Sequence, residues 1–174
     1  MIFCDEKIKN PEKRGITMTE SILHHKKLLI VDDEPDVLAV VEEEILESSP
    51  DSKIDKASNY EEAAEFLKSN DYDLVILDIM GVRGYDLLEM AVSRKFKAIM
   101  LTAHAMWPEA LKKSHDLGAS GYLPKDKLGE LVPFIEDILQ NEYKTAWAQV
   151  MKKLDKYFKE QWGNDWREKE VINW

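Results

Sequence analysis

The sequence predicts an α/β fold: a parallel five-stranded sheet with helices on both faces, (βα)5 in order, followed by a C-terminal helical extension. Two observations carry this. Short apolar runs alternate with longer amphipathic segments five times between Lys27 and about Asn141. Such alternation implies right-handed crossovers between parallel strands. The central run, "DLVILD", is too apolar for a half-exposed strand and reads as buried on both faces.

Each element has a local cause. "LLIVDD" is the first strand, and Pro35 behind Asp33 and Glu34 starts a helix. Val37, Leu38, Val41, Ile45 and Leu46 then recur at helical spacing. "KIDKA" is a weak second strand. Ser58 or Asn59 caps "YEEAAEFLKSN", whose Glu61 and Glu62 suit a first turn. "DLVILD" is the third strand and "YDLLEMAVSRK" the third helix. "KAIMLTA" is the fourth strand, and "WPEALKKSHDLG" is a helix closed by Gly118. "SGYLPK" is the fifth strand. "KLGELVPFIEDILQ" is the fifth helix, with Pro133 expected to weaken or bend its early turns.

Composition limits the function. The chain has 174 residues and a net charge of −10, which disfavours bulk attraction to nucleic acid. One cysteine, Cys4, permits neither an internal disulfide nor a multi-cysteine metal site, and fits a reducing compartment. No apolar stretch is long enough for a membrane span, and the N-terminus lacks a signal-peptide core. The reading is a cytoplasmic protein. Residues 1–26 read as a flexible N-terminal extension, with Met18 an alternative start to Met1. Residues 27–141 read as the folded domain, and 142–174 as a Trp-rich helical extension.

In parallel sheets, functional groups collect at the carboxyl ends of the strands. Here those ends carry Asp32 and Asp33, then Asp78, Thr102 and Lys125. Singly, each has a plain explanation: helix cap, turn acid, structural hydroxyl, solvated lysine. Together they are a site. Clustered carboxylates raise one another's pKa and call for a cation. Hard oxygen ligands suit Mg²⁺, which binds through one or two carboxylates and a phosphate. Asp78 can then act as a nucleophile that forms an aspartyl phosphate. Thr102 can bond a phosphoryl oxygen, and Lys125 adds a positive charge.

"LLIVDDEPDV", "LVILDIM", "MLTAHA" and "GYLPK" together resemble the receiver domain of two-component response regulators. The resemblance implies a flavodoxin-like three-layer sandwich. It implies Asp78 as phosphoacceptor, Asp33 as a direct Mg²⁺ ligand, Asp32 acting through water and the Met80 carbonyl as a further ligand. Thr102 and Tyr122 match the family's switch pair, and Lys125 its lysine. A sensor histidine kinase or phosphotransfer protein would supply the phosphoryl group. The protein would then be a switch acting by protein–protein contact, not a turnover enzyme. The loop "MGVRG" departs from the pattern: it is shorter and lacks the usual proline. That departure keeps a second reading, a phosphorylation-independent scaffold or dimerisation module. His104, two residues past Thr102, stands near the phosphoryl entrance or is a plain loop histidine.

Other classes fit less well. A phosphatase using an aspartyl phosphate normally places an acid where Met80 stands. A nucleotide binder needs a phosphate cradle, and "DDEPD" repels phosphate. After the domain no DNA-binding or catalytic output domain is expected. Tyr143, Ala146, Trp147, Val150, Leu154, Tyr157 and Phe158 share one helical face. They continue the phase of Leu128, Val132, Ile135 and Leu139, as one long helix or two abutting ones, ended by Gly163 and Asn164. The stripe either packs on its own domain or forms a homodimer or partner surface. Trp162, Trp166 and Trp174 fall in a polar tail.

Overall fold

The computed structural model describes residues 21–103 and 108–166. Five parallel strands form one sheet: β1 Lys27–Val31, β2 Lys53–Ala57, β3 Leu74–Asp78, β4 Lys97–Thr102 and β5 Gly121–Pro124. Their order is β2-β1-β3-β4-β5, the flavodoxin-like order, which reverses direction between β1 and β3. Helices α1 Pro35–Ser48, α2 Tyr60–Ser69, α3 Gly84–Ser93, α4 Pro108–Asp116 and α5 Leu131–Gln140 complete the repeats. A 3-10 helix, η1 Lys125–Glu130, links β5 to α5, and α6 Tyr143–Trp162 follows. α1 packs with α5, and α2 with α3, giving two helical layers.

Burial matches the order. Every residue of β3 is buried, as is β1 beyond Lys27. β2, the weak candidate, is an edge strand paired only with β1, with Lys53 and Lys56 exposed and Ala57 buried. Asn59 caps α2 by accepting from the Glu62 N–H at 2.9 Å, while Glu62 reaches back to the Ser58 N–H at 3.1 Å. Gly118, at φ +89°, ends α4, and the Ala119 N–H closes the turn on the Ser114 carbonyl at 2.9 Å.

Three expectations change. First, residues 21–26 are not part of a loose extension. Leu23 is fully buried, its carbonyl accepts from Ser52 Oγ at 2.9 Å, and Ser21 Oγ donates to Glu136 at 3.0 Å. Second, the segment from Leu128 is not one helix. It turns as 3-10 through η1 and becomes α-helical only at Leu131. Pro133 therefore sits in a first turn, where its missing N–H costs nothing. Third, Trp166 is not stranded in a polar tail. Gly163, at φ +89°, turns the chain back, and Trp166 is buried 4.9 Å from Phe158.

α6 packs on its own chain, against β5 and α5. Trp147, Val150 and Phe158 of the apolar stripe are buried there, as is Met151, which the stripe did not include. The Trp147 indole N–H donates to the Ala119 carbonyl at 2.6 Å, and the Tyr143 hydroxyl to the His115 carbonyl at 2.6 Å. The side chains of Ala146, Leu154 and Trp162, and all of Trp174, lie outside the described residues. At the opposite pole from the acids, Lys97 Nζ donates to the carbonyls of Ile138 (2.5 Å), Leu139 (3.0 Å) and Asn141 (3.1 Å). It caps the carboxyl end of α5, where the helix dipole favours a cation. Burial lowers its pKa, and the nearby Lys26 adds to this.

Candidate functional site

The reversal of strand order between β1 and β3 opens a crevice at their carboxyl ends. Strand geometry carries the acids into it. Asp32 and Asp33 follow β1 directly, and Asp78 is the last residue of β3, in register with Leu101 of β4. Thr102 is one residue beyond that register point and pairs with Pro124 of β5. Lys125 follows Pro124 immediately. The carboxyl ends of β1, β3, β4 and β5 thus bring five polar groups to one edge of the sheet.

Asp32 is fully buried, and Asp78 and Thr102 are nearly so. Carboxylate oxygens of Asp32, Asp33 and Asp78 lie within 4.8 Å of one another. Lys125 is the local counter-charge. Its Nζ lies 2.7 Å from Asp32 Oδ2, 2.8 Å from Glu34 Oε1 and 3.1 Å from Asp78 Oδ1. An ammonium has three N–H donors, so all three are engaged by acids. Burial alone would lower the lysine's pKa, but its bonds to Asp32, Glu34 and Asp78 raise it well above the usual range. Burial raises the pKa of Asp32, and Lys125 and the Glu34 N–H only partly offset it.

The other oxygen of Asp78, Oδ2, accepts from the Met80 N–H at 3.0 Å. Asp32 Oδ1 accepts from the Glu34 N–H at 3.0 Å. Asp33 is exposed and has no hydrogen bond or ion pair among the described residues. One lysine thus answers three acids while Asp33 stands beside them unpaired among the described residues, and the donor set of hard oxygens with surplus negative charge fits a divalent cation.

The short loop after Asp78 closes by two devices. Arg83 takes the left-handed conformation at φ 55°, held by stacking 4.1 Å from the Tyr60 ring centroid and by Nε at 2.8 Å from Asp86. Gly84 then passes so close to the Asp78 carbonyl that any Cβ would collide with it. A Cβ at Gly81 would likewise strike the Asp33 carboxylate. Met80 is 70% exposed, and its carbonyl accepts from the Arg83 N–H at 3.1 Å. A carbonyl has a second lone pair, which that turn leaves for another ligand.

Tyr122 is fully buried on β5, beside Met100 in the ladder. Burial pushes its phenol far above the usual tyrosine range. Tyr85 adds to the shift, and the Thr102 hydroxyl opposes it. Thr102 is thus near enough to be felt, although the Tyr122 oxygen has no well-formed hydrogen bond. The structure brings Asp32, Asp33, Asp78 and Lys125 together and sets Thr102 and Tyr122 on the adjoining strands. His104 lies outside the described residues. Sequence reasoning missed Glu34 as a lysine partner and Gly81 and Gly84 as space-makers. The signal for Glu34 was its place directly after the paired acids. The two glycines were visible only as loop residues.

Comparison with known proteins agrees with this geometry. Residues 28–136 match the family model described as the response regulator receiver domain. The curated "Response regulator Rre1" of Synechocystis sp. (strain ATCC 27184 / PCC 6803 / Kazusa) is 38% identical over 104 residues, 56% of this chain and 44% of that protein. The chain thus spans less than half the length of that relative. A two-component response regulator from Clostridium difficile superposes with a TM-score of 0.60 at 26% identity, over 67% of this chain and 97% of that one. A CheY-like receiver domain protein from Methanospirillum hungatei JF-1 gives 0.54 at 25% identity, over 66% and 96%. The family model covers well over half of the chain, and the strand order agrees with it: this chain belongs to the response regulator receiver domain family.

Proposed function

We propose that the protein is a phosphorylation-controlled switch in which Asp78 accepts a phosphoryl group from a sensor histidine kinase or phosphotransfer protein. The observation that carries this is the treatment of the Asp78 carboxylate. It is held rigidly at a strand end, with one oxygen on Lys125 and the other on the Met80 N–H. A helix cap would need neither a buried lysine nor two further acids at its side.

In the reaction, an Asp78 oxygen forms a P–O bond as the P–N bond to the donor imidazole breaks. The electron pair leaves with the imidazole, which takes up a proton. Lys125 stabilises the incoming phosphoryl oxygens, and the Thr102 hydroxyl donates to one of them. Bound Mg²⁺ would supply neutralisation of phosphoryl charge. Asp33, Asp78 and the Met80 carbonyl would hold it, with Asp32 acting through water. Thr102 and Tyr122 would report the added charge, about −1.5 to −2, to the surface near α4 and β5. The product acts by protein–protein contact in the cytoplasm and is not a turnover enzyme. No described helix is long and apolar enough to cross a membrane. On this reading residues 27–141 are the receiver unit and residues 142–174 an appended extension that begins with α6. A homodimer through the α6 stripe would require that stripe to leave its own β5.

Acetyl phosphate and Mg²⁺ test the reading by intact mass, beside Asp78→Asn. A gain of one phosphoryl group in the wild type alone, dependent on Mg²⁺, is the expected result. No gain in the wild type removes the phosphoacceptor role and leaves the phosphorylation-independent scaffold.

A further inference from the structure

One edge strand, β5, already has an occupant, and that occupant touches the same short segment that touches the site. η1 begins at Lys125, which binds Asp32, Glu34 and Asp78. Two residues later, Lys127 lies over the Tyr157 ring of α6 at 6.0 Å from its centroid. Lys127 is also where the backbone of η1 breaks from helical geometry, at φ −109° and ψ 17°. Asp126, between them, is close enough to Tyr157 to raise its pKa, although burial is the larger cause. A second route meets the first. Tyr122, two register positions from Thr102 and within reach of its hydroxyl, also feels Tyr157. Tyr157 therefore stands where both lines from Asp78 reach α6.

Resting on the phosphoacceptor reading above, we infer that α6 is an intramolecular ligand of β5 and η1 whose hold is weakened by phosphorylation of Asp78. The cause is a shortage of donors. Lys125 has three N–H groups, and all three are spent on carboxylates in the unphosphorylated protein. A phosphoryl oxygen can be bound only if one of these contacts is surrendered. The contact to Glu34 goes first, because that side chain is 59% exposed and recovers water. Lys125 then follows the phosphoryl group towards β3 and draws the start of η1 with it. The break at Lys127 is where that movement is absorbed, and it lies under Tyr157. Loss of the Lys127 and Asp126 contacts loosens the second half of α6, where Phe158 and the returning Trp166 are buried. The first half stays pinned by Trp147 on the Ala119 carbonyl.

Hydrogen exchange by mass spectrometry on the full chain, with and without acetyl phosphate and Mg²⁺, tests this, with intact mass read in parallel. Coupling between sites is commonly about 5–150-fold, and exchange across residues 153–162 should quicken about tenfold on phosphorylation, with residues 143–152 little changed. Peptides of β3 should not change. In Tyr157→Ala, α6 should exchange faster before phosphorylation, and the added effect of the phosphoryl group should shrink. A phosphoryl gain with α6 protection unchanged or increased overturns the inference and leaves Asp78 as acceptor. A full increment retained in Tyr157→Ala overturns the route through that residue. No phosphoryl gain removes the acceptor reading and the inference together.

Discussion

Replacing Lys125 with methionine should destabilise the protein in a way that pH can undo. The lysine side chain is 10% exposed, and its partners Asp32 and Asp78 are 0% and 5% exposed. Stripping one partner from a buried pair costs about 3–5 kcal/mol. The contact to exposed Glu34 adds no more than about 1 kcal/mol. Protonation sets a ceiling. Asp32 has an ordinary pKa of 3.8. Keeping such a group neutral costs about 1.4 kcal/mol per pH unit above that value, hence about 4 kcal/mol at pH 7 and about 1.6 at pH 5. Burial already raises the folded pKa of Asp32, so the fold gains stability as pH falls through it. Without Lys125 the pKa rises further and the gain is larger. The expected deficit against wild type is therefore about 3–4 kcal/mol at pH 7, shrinking below about 2 at pH 5. Urea unfolding at both pH values, with chelator present, measures it. A deficit that stays constant with pH, or falls under about 1 kcal/mol at pH 7, would refute the claim that the lysine neutralises buried carboxylates.

Other perturbations probe other parts of the argument. Gly84→Ala drives a methyl group into the Asp78 carbonyl and should cost about 1–3 kcal/mol in urea midpoint analysis. An unchanged midpoint would mean that the loop does not need a glycine there. Trp147→Phe removes the indole donor from the Ala119 carbonyl and should cost about 1–3 kcal/mol, with the loss visible as faster exchange at the start of α6. The tyrosines give an alkaline test. Burial pushes Tyr143 up to about 12, and it also raises Tyr72, Tyr85, Tyr122 and Tyr157 above 10.0. Raised phenol pKa values stabilise the fold below 10.0, and that contribution is lost as pH climbs through the folded values. Phenolate absorbance should therefore lag that of the urea-unfolded chain between pH 10.0 and about 12, and thermal stability should fall across that window.

What could be read from sequence was what local chemistry decides. β3 announces itself because five consecutive residues are buried on both faces, and an acid at its end has nowhere to go but the strand terminus. The same holds for Asp32, Thr102 and Lys125, whose positions follow from where each strand stops. Four features were not legible. The change from 3-10 to α-helix at Leu131 leaves the apolar spacing almost unaltered, so periodicity cannot see it. The burial of Trp166 depends on a glycine at positive φ reversing the chain, and a turn has no periodic signature. The burial of Leu23 depends on Ser52, twenty-nine positions away, offering a hydroxyl to its carbonyl. Glu34 was read as a neighbour of the paired acids, but its bond to Lys125 spans ninety-one positions. Contacts of that range are set by the assembled sheet and by nothing in the flanking residues.

The clasp made by Lys97 has a mechanical consequence. By gripping the carbonyls of Ile138, Leu139 and Asn141, one side chain rooted in the sheet fixes the elbow from which α6 departs. A helix of 20 residues is about 30 Å long. With its near end anchored, it can move only as an oar moves in its lock. A swing of about 10° at the elbow carries the far tip about 5 Å, the width of one helical turn. Slight adjustments beside β5 would thus be magnified most where Phe158 and Trp166 meet, and scarcely at all where Tyr143 begins.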